Sequence, residues 1–191
     1  MRYKEIKNFG GREITIRLLS RNDLKHPEKF QEFINSLVRE DVPINTNREV
    51  TLKEEIKWLK RKLEKIRKKK EISLIAQDHD LIVGNADVKL CEGRSAHIAD
   101  FGIAVKREYR RKGIGEYLAK KIIMLAKKDL KPTPKIIQLR ALAINKPALN
   151  LYRKLGFKKV AKIPHQSSYK GKLVDEIVML LYLDKNLSKK K

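Results

Sequence analysis

Residues 105–118 read Val-Lys-Arg-Glu-Tyr-Arg-Arg-Lys-Gly-Ile-Gly-Glu-Tyr-Leu. Arg110, Arg111 and Lys112 lead directly into Gly113-Ile114-Gly115. The apolar run Ile98 to Val105 before them reads as a strand, and the residues after them carry a helical pattern. A strand that enters a helix through a glycine-rich turn can hold an anion. The first-turn N–H groups have no intrahelical acceptors, the helix dipole favours negative charge there, and glycine lets the backbone come close. Three adjacent cations suit a phosphate or diphosphate. Two glycines at such a junction also serve packing alone, so context must decide. The turn lacks Gly-x4-Gly-Lys-[Ser/Thr], and it is not a Gly-x-Gly-x-x-Gly turn near a first strand.

Thirty residues on stands a second group, Asn145-x-x-Ala148-x-x-Leu151-Tyr152-x-x-x-Gly156-Phe157. Asn145 can cap a short helix, and Tyr152 is either a core aromatic on that helix or a phenol with an ordinary pKa near 10 that can give up a proton. The four histidines have no metal-ligand spacing, so no metal is expected. No Ser-His-Asp or Cys-His arrangement is present, and the single Cys91 reads as a small apolar filler rather than a nucleophile.

The elements that must position these residues are legible in outline. Glu13 to Leu19 alternates as an opening strand. Phe30, Phe33, Ile34, Leu37 and Val38 recur at helical spacing, and residues 41–50 read as an ordered loop. Thr51-Leu-Lys-Glu54 matches a capping box, followed by Leu52, Ile56, Leu59, Leu63 and Ile66 on one helix face. The other face is dense in cations, from Lys57, Lys60, Arg61 and Lys62 to Lys70. Ile72–Ala76, Leu81–Leu90 and Ala96–Val105 form a three-strand meander ahead of the glycine-rich turn. A strand over Ile136–Ala143, the short helix from Asn145 to Gly156, and strands over Phe157–Ile163 and Val174–Leu183 complete the chain. The expected fold class is α/β of the α+β type: a mixed, mostly antiparallel central sheet of six to seven strands, flanked by about four helices. One domain over residues 1–184, with its core at 12–183, precedes a basic tail at 185–191.

With 191 residues the chain can bury a sizeable core without staples. One cysteine excludes an intramolecular disulfide framework and agrees with a reducing compartment. No 18-residue apolar run and no signal-peptide pattern occur, so a cytoplasmic protein without membrane attachment is expected. The formal charge of +23 should draw phosphorylated ligands, nucleic acid or acidic surfaces. A Lys-rich, Cys-poor composition suggests a thermophilic origin. Lys and Glu rise together in that case, however, and here Lys plus Arg total 46 against 23 Asp plus Glu. The basic helix face could meet RNA or a ribosome, but no aromatic residues are interleaved there to stack on bases.

Taken together, the glycine-rich turn and the Asn145–Phe157 segment resemble the two signature motifs of the GCN5-related N-acetyltransferase (GNAT) family. The resemblance spans most of the chain from Glu13 to Leu183 and is strongest between His97 and Phe157. It implies acetyl-CoA as cosubstrate and transfer of its acetyl group to a primary amine by direct attack in a ternary complex. It also implies roles for single residues. Ile103, Ala104 and Val105 would pair by backbone with the pantetheine arm, with an N–H near Ile103 stabilising the thioester oxyanion. Arg110, Arg111, Lys112, Gly113, Ile114 and Gly115 would wrap the pyrophosphate. Asn145 would hydrogen-bond the pantetheine or the cofactor backbone, and Tyr152 would point at the sulfur and protonate it. An amine must lose a proton before it attacks. Asp100 is the leading candidate base, where many relatives carry Glu, and its shorter side chain would reach the amine through a bridging water. Asp87, Glu92 and His97 are weaker alternatives. The acceptor, a small-molecule amine, an amino acid or a protein N-terminus, would be lined by residues 28–40, 52–70 and His165 to Lys172. A monomer or a homodimer is expected. A non-catalytic module that holds CoA or docks on RNA or ribosome is the alternative reading.

Overall fold

In the computed structural model, which describes residues 3–43, 46–184 and 186–187, eight strands form one sheet in the order β1-β2-β3-β4-β5-β6-β8-β7. The chain runs through β1 (Lys4–Phe9), β2 (Arg12–Leu18), α1 (Pro27–Arg39), α2 (Leu52–Arg67), β3 (Glu71–Asp78), β4 (Leu81–Leu90) and β5 (Ile98–Val105). It continues through α3 (Ile114–Asp129), β6 (Ile136–Leu142), α4 (Lys146–Lys154), β7 (Lys158–Tyr169) and β8 (Lys172–Tyr182). All neighbouring pairs are antiparallel except β5 and β6. That parallel pair is joined by the crossover helix α3, as parallel strands require.

Alternation along the strands splits the core into two layers. Ile72, Leu74 and Ala76 of β3, with Ala86 and Val88 of β4, face Leu118, Ile122 and Ala126 of α3. Ile75 and Ile82 face the other way, onto Phe30, Phe33 and Leu37 of α1 and Leu59 of α2. Six consecutive residues of β3 are buried, because helices cover both faces of this central strand. The capping box at the start of α2 is present as expected: the Thr51 side chain accepts from Glu54 N–H, and Glu54 Oε2 accepts from Thr51 N–H at 2.8 Å. Arg48 and the Thr51 cap hold Glu54 down to a pKa of about 2. The loop before α2 is tied to α1 by buried Asn35, which donates to Val50 C=O at 3.1 Å and accepts from Val50 N–H at 2.8 Å.

Three features differ from expectation. The sheet has eight strands because β1 pairs with β2 through a hairpin at Gly10-Gly11, both at positive φ. β1 has only Ile6 and Phe9 to show an apolar face, and Ile6 is 61% exposed, so pairing and not burial makes the strand. β7 and β8 are longer than expected and run as a hairpin through the segment His165 to Lys172. Finally, Lys62 does not belong to the exposed basic face of α2. It is buried among Glu71, Asp87 and the Trp58 ring. Of the tail expected at 185–191, only residues 186 and 187 fall within the described set.

Candidate active site

β5 and β6 stay paired for only three residues: Ile98 with Ile136, Ala99 with Ile137, and Asp100 with Gln138. Past that point β5 keeps its other neighbour, β4, as far as Val105, and β6 keeps β8 as far as Leu142. The two strands therefore part in the middle of the sheet. The hydrogen-bond alternation shows which groups face the gap. Ile98 C=O accepts from Cys91 N–H, and Lys106 N–H donates to Val83 C=O, both at 2.9 Å, so the even-numbered peptide groups of β5 serve β4. The odd-numbered ones face β6, as His97 C=O does when it accepts from Lys135 N–H at 2.8 Å. Ile103 and Val105 thus turn their peptide groups toward the opening. The Val105 carbonyl is taken by Arg110 Nε at 2.8 Å.

The glycine-rich turn stands at the end of this opening. Gly113 is the N-cap of α3 with φ +88°, a left-handed conformation that favours glycine, and Arg111 before it is also at positive φ. No side chain caps α3, and Tyr117 N–H is the first to return, to Gly113 C=O at 3.0 Å. The N–H groups of Ile114, Gly115 and Glu116 are therefore the orphan donors of a helix N-terminus. A Cβ on Gly115 would meet Val105 Cγ2 at 3.7 Å and both Ile103 Cδ1 and Leu151 Cδ2 at 3.9 Å. The first turn of α3, the end of β5 and α4 thus converge at Gly115.

Arg110 is occupied differently from its neighbours. Its own N–H donates to Arg107 C=O at 3.1 Å in a 3-10 turn, and its guanidinium pairs with Glu40 at 2.6 Å. Arg110 braces the turn against the end of α1, leaving Arg111, Lys112 and the helix N-terminus as the positive part of the site.

Asn145 caps α4, its Oδ1 accepting from Ala148 N–H at 3.3 Å. Tyr152, on the same helix, is buried and packs edge-on against Phe101 of β5, with ring centroids 6.0 Å apart and planes at 89°. Burial pushes its phenol up to about 12, so it stays protonated across the neutral range.

Asp100 and Tyr152 belong to opposite faces of β5, because Asp100 is even-numbered while Ala99 and Phe101 point toward α3 and α4. Asp100 is exposed at the last paired position, where it accepts from Gln138 Nε2 at 2.8 Å and lies 3.7 Å from Cys91 Sγ. Burial and the Asp100 carboxylate both raise the Cys91 pKa, so the thiol stays protonated. Glu92 and His97 lie exposed at the far end of β5 from the glycine-rich turn. Asp87 is held 2.8 Å from Lys62 Nζ.

The same face holds a feature that sequence reasoning missed. A cavity of about 570 Å³ lies between the α1–α2 pair and the strands β3, β4 and β5, and Glu55 lines it. Glu55 is 7% exposed, and desolvation raises its carboxyl to about 7 even though Lys62 nearby pulls it down. The spacing Glu55–Leu59–Lys62–Ile66 was the available signal. Steps of four, three and four put an acid and a base on the buried stripe with Leu59.

Residues 69–159 match the family described as acetyltransferase (GNAT) domain. Among solved structures, the ribosomal-protein-S5-alanine acetyltransferase of Vibrio fischeri superposes with a TM-score of 0.78 at 17% identity, over 95% of this chain and 98% of that one. A GNAT-family acetyltransferase from Streptococcus pneumoniae gives 0.77 at 22% identity, over 89% and 99%. The protein yncA of Salmonella typhimurium, solved with its cofactor acetyl-CoA, gives 0.75 at 20% identity, over 90% and 95%. The chain is thus similar to the GNAT acetyltransferase family in sequence over residues 69–159 and in fold over most of its length. Among the described residues no cluster of metal-ligating side chains occurs, and no helix is long and apolar enough to cross a membrane.

Proposed function

We propose that this protein is an N-acetyltransferase that takes acetyl-CoA as cosubstrate and passes the acetyl group to a primary amine by direct attack. The observation that carries this reading is the parting of β5 from β6 beside an uncapped helix N-terminus. An extended chain of amides, such as pantetheine, can dock on an open strand edge by strand addition, and a diphosphate suits the α3 N-terminus. The residues present fit such a ligand. Ile103 and Val105 offer the edge, while Gly113, Ile114 and Gly115 offer N–H groups with no side chain between them and the ligand at the two glycines. Arg111 and Lys112 supply charge, and Arg110 holds the turn closed through Glu40 and Val105. Asn145 keeps its side-chain amide nitrogen for the ligand while its oxygen caps α4. Ala104, between Ile103 and Val105, has its peptide group committed to β4, so its share of the edge is to set their spacing.

The roles divide by face. Ile103 N–H would donate to the thioester oxygen as negative charge grows there. Tyr152, protonated and on the α4 side, would give its proton to the departing sulfur. The amine would come from the opposite face, where Asp100 and the cavity beneath α1 and α2 lie. Acetyl-CoA incubated with a panel of primary amines, followed by free-thiol release, tests the reading. Thiol release that needs both substrates supports it. Tight CoA binding without turnover on any amine would instead favour a binding module.

A further inference from the structure

The cavity beneath α1 and α2 has the makings of a second substrate site. Its wall on the α1 side is apolar, formed by Phe30, Phe33, Ile34 and Leu37. Its floor is the sheet, with Asn85 and Asp87 of β4 and Ala104 of β5. Asn85 and Ala104 are direct cross-strand partners, as are Asp87 and Gly102. A Cβ on Gly102 would meet nothing within 4 Å. The face of β5 is therefore bare between Asp100 and Ala104, next to the Ile103 peptide that looks into the gap between β5 and β6. The cavity's volume, about 570 Å³, is that of a small-molecule site.

Two sets of charges distinguish the ends of this cavity. Inside is Glu55, more than nine-tenths buried, lining the space without a hydrogen-bonding partner among the described residues. Its neighbours do not neutralise it. Lys62 is already shared between Glu71 of β3 and Asp87 of β4, and the α1 side contributes only apolar groups. At the mouth, on the exposed side of α2, stand Lys57, Trp58 and Arg61. Glu54, also at the mouth, is held by Arg48 and the Thr51 cap. Among the described residues neither Lys57 nor Arg61 has an acidic partner within 4.0 Å, whereas Arg39, Arg48, Arg67 and Arg110 all do.

From this arrangement we infer that the cavity is the acceptor site, that its substrates are small amino carboxylates with an apolar body, and that Glu55 takes the proton from their ammonium group. The inference rests on the acetyltransferase reading. Lys57 and Arg61 meet the carboxylate, the α1 wall covers the apolar body, and Glu55 draws in the ammonium. One N–H bond breaks and the proton goes to Glu55. The amine nitrogen forms a bond to the thioester carbon, and the C–S bond breaks as sulfur takes the Tyr152 proton. The new amide nitrogen sheds its extra proton back to Tyr152, and Glu55 releases its own to solvent. A carboxyl that titrates near neutrality is matched to that task, and its value of about 7 is set by burial against the pull of Lys62.

Steady-state kinetics on the full chain test this, with leucine and phenylalanine, their carboxamides, and an alanine-initiated peptide as acceptors. The free amino acids should exceed their carboxamides in kcat/KM by at least tenfold, and Lys57→Ala/Arg61→Ala should erase that preference. Glu55→Gln should lower kcat/KM at least 100-fold and remove an acidic limb near pH 7, while acetyl-CoA affinity by calorimetry stays unchanged. Gly102→Val should raise KM for the amine with little change for acetyl-CoA. Equal rates on acids and amides, or a preference for the peptide, would overturn the substrate class. Wild-type rate and pH profile in Glu55→Gln would overturn the role of Glu55, and either result leaves the acetyltransferase reading standing. Failure of the wild-type protein to bind acetyl-CoA or to turn over any amine would defeat that reading and this inference together.

Discussion

Lys62 Nζ lies 2.5 Å from a carboxylate oxygen of Glu71 and 2.8 Å from one of Asp87, with Lys62 and Glu71 both nearly excluded from solvent. The two acids hold the ammonium in its charged form against the cost of burial. A buried charge that loses its partner is costly, because the remaining ion is neither hydrated nor paired. Lys62→Met should therefore destabilise the protein by about 3–5 kcal/mol in urea unfolding at neutral pH. The deficit should shrink as pH falls, because burial raises the Glu71 pKa and a protonated Glu71 needs no counter-charge. A deficit that is independent of pH would mean that lost packing, and not lost charge, carries the effect.

Gly113 offers a second test, since its φ of +88° is a conformation that a side chain strains. Gly113→Ala should cost about 1–2 kcal/mol of stability, and Gly113→Asn less, because Asn tolerates the left-handed region better. Either change also sets a side chain beside the free N–H groups of α3. Acetyl-CoA affinity, measured by calorimetry, should fall at least tenfold in Gly113→Ala. Unchanged affinity in a folded variant would remove the phosphate-holding role of the turn.

Tyr152→Phe keeps the ring against Phe101 and removes only the hydroxyl. Turnover should fall by roughly 10²–10⁴-fold, the range of a positioned general acid, with acetyl-CoA affinity little changed. Because the phenol is raised to about 12, Tyr152 should impose no basic limb on the wild-type pH–rate profile below about pH 11. A basic limb near pH 10 that vanishes in the Phe variant would show that the phenol titrates as an exposed one does.

What the sequence discloses follows the range of the interactions involved. The strand Ile98–Val105, the glycine-rich turn and the Thr51–Glu54 capping box are local, and each was legible from neighbouring residue types. Gly113 and Gly115 sit close in sequence to the strand that leads into them. Arg110's engagement is not legible in this way, because Glu40 lies seventy positions earlier and meets it only after α1 packs beside the end of β5. β1 escaped for a different reason: its edge position asks for backbone pairing rather than an apolar face. The parting of β5 from β6 likewise depends on where two distant strands stop pairing, which no local pattern records. Lys62 reads as part of the exposed face because lysines surround it, although its spacing from Leu59 and Ile66 places it on the buried stripe that Glu55 shares.

Glu55 also predicts an inverse relation between stability and function. Its folded pKa is about 7 against an ordinary 4.5, so the folded state binds a proton more tightly than the unfolded chain does. For a carboxyl raised in this way, stability declines as pH climbs from about 4.5 to about 7, and the loss is complete above that window. Glutamine has nearly the same shape and does not titrate. Glu55→Gln should therefore match the wild-type protein near pH 4 and become progressively more stable toward pH 8. The full shift would correspond to roughly 3 kcal/mol, and access of water to the cavity reduces the expected gain to about 1–2 kcal/mol. Urea unfolding at pH 5 and pH 8 measures the difference directly. A variant that gains stability while losing turnover would mark Glu55 as a group retained for chemistry at a cost to the fold. A variant less stable than wild type at pH 8 would instead mean that the carboxylate is held by a partner in the folded protein and is not poised to accept a proton.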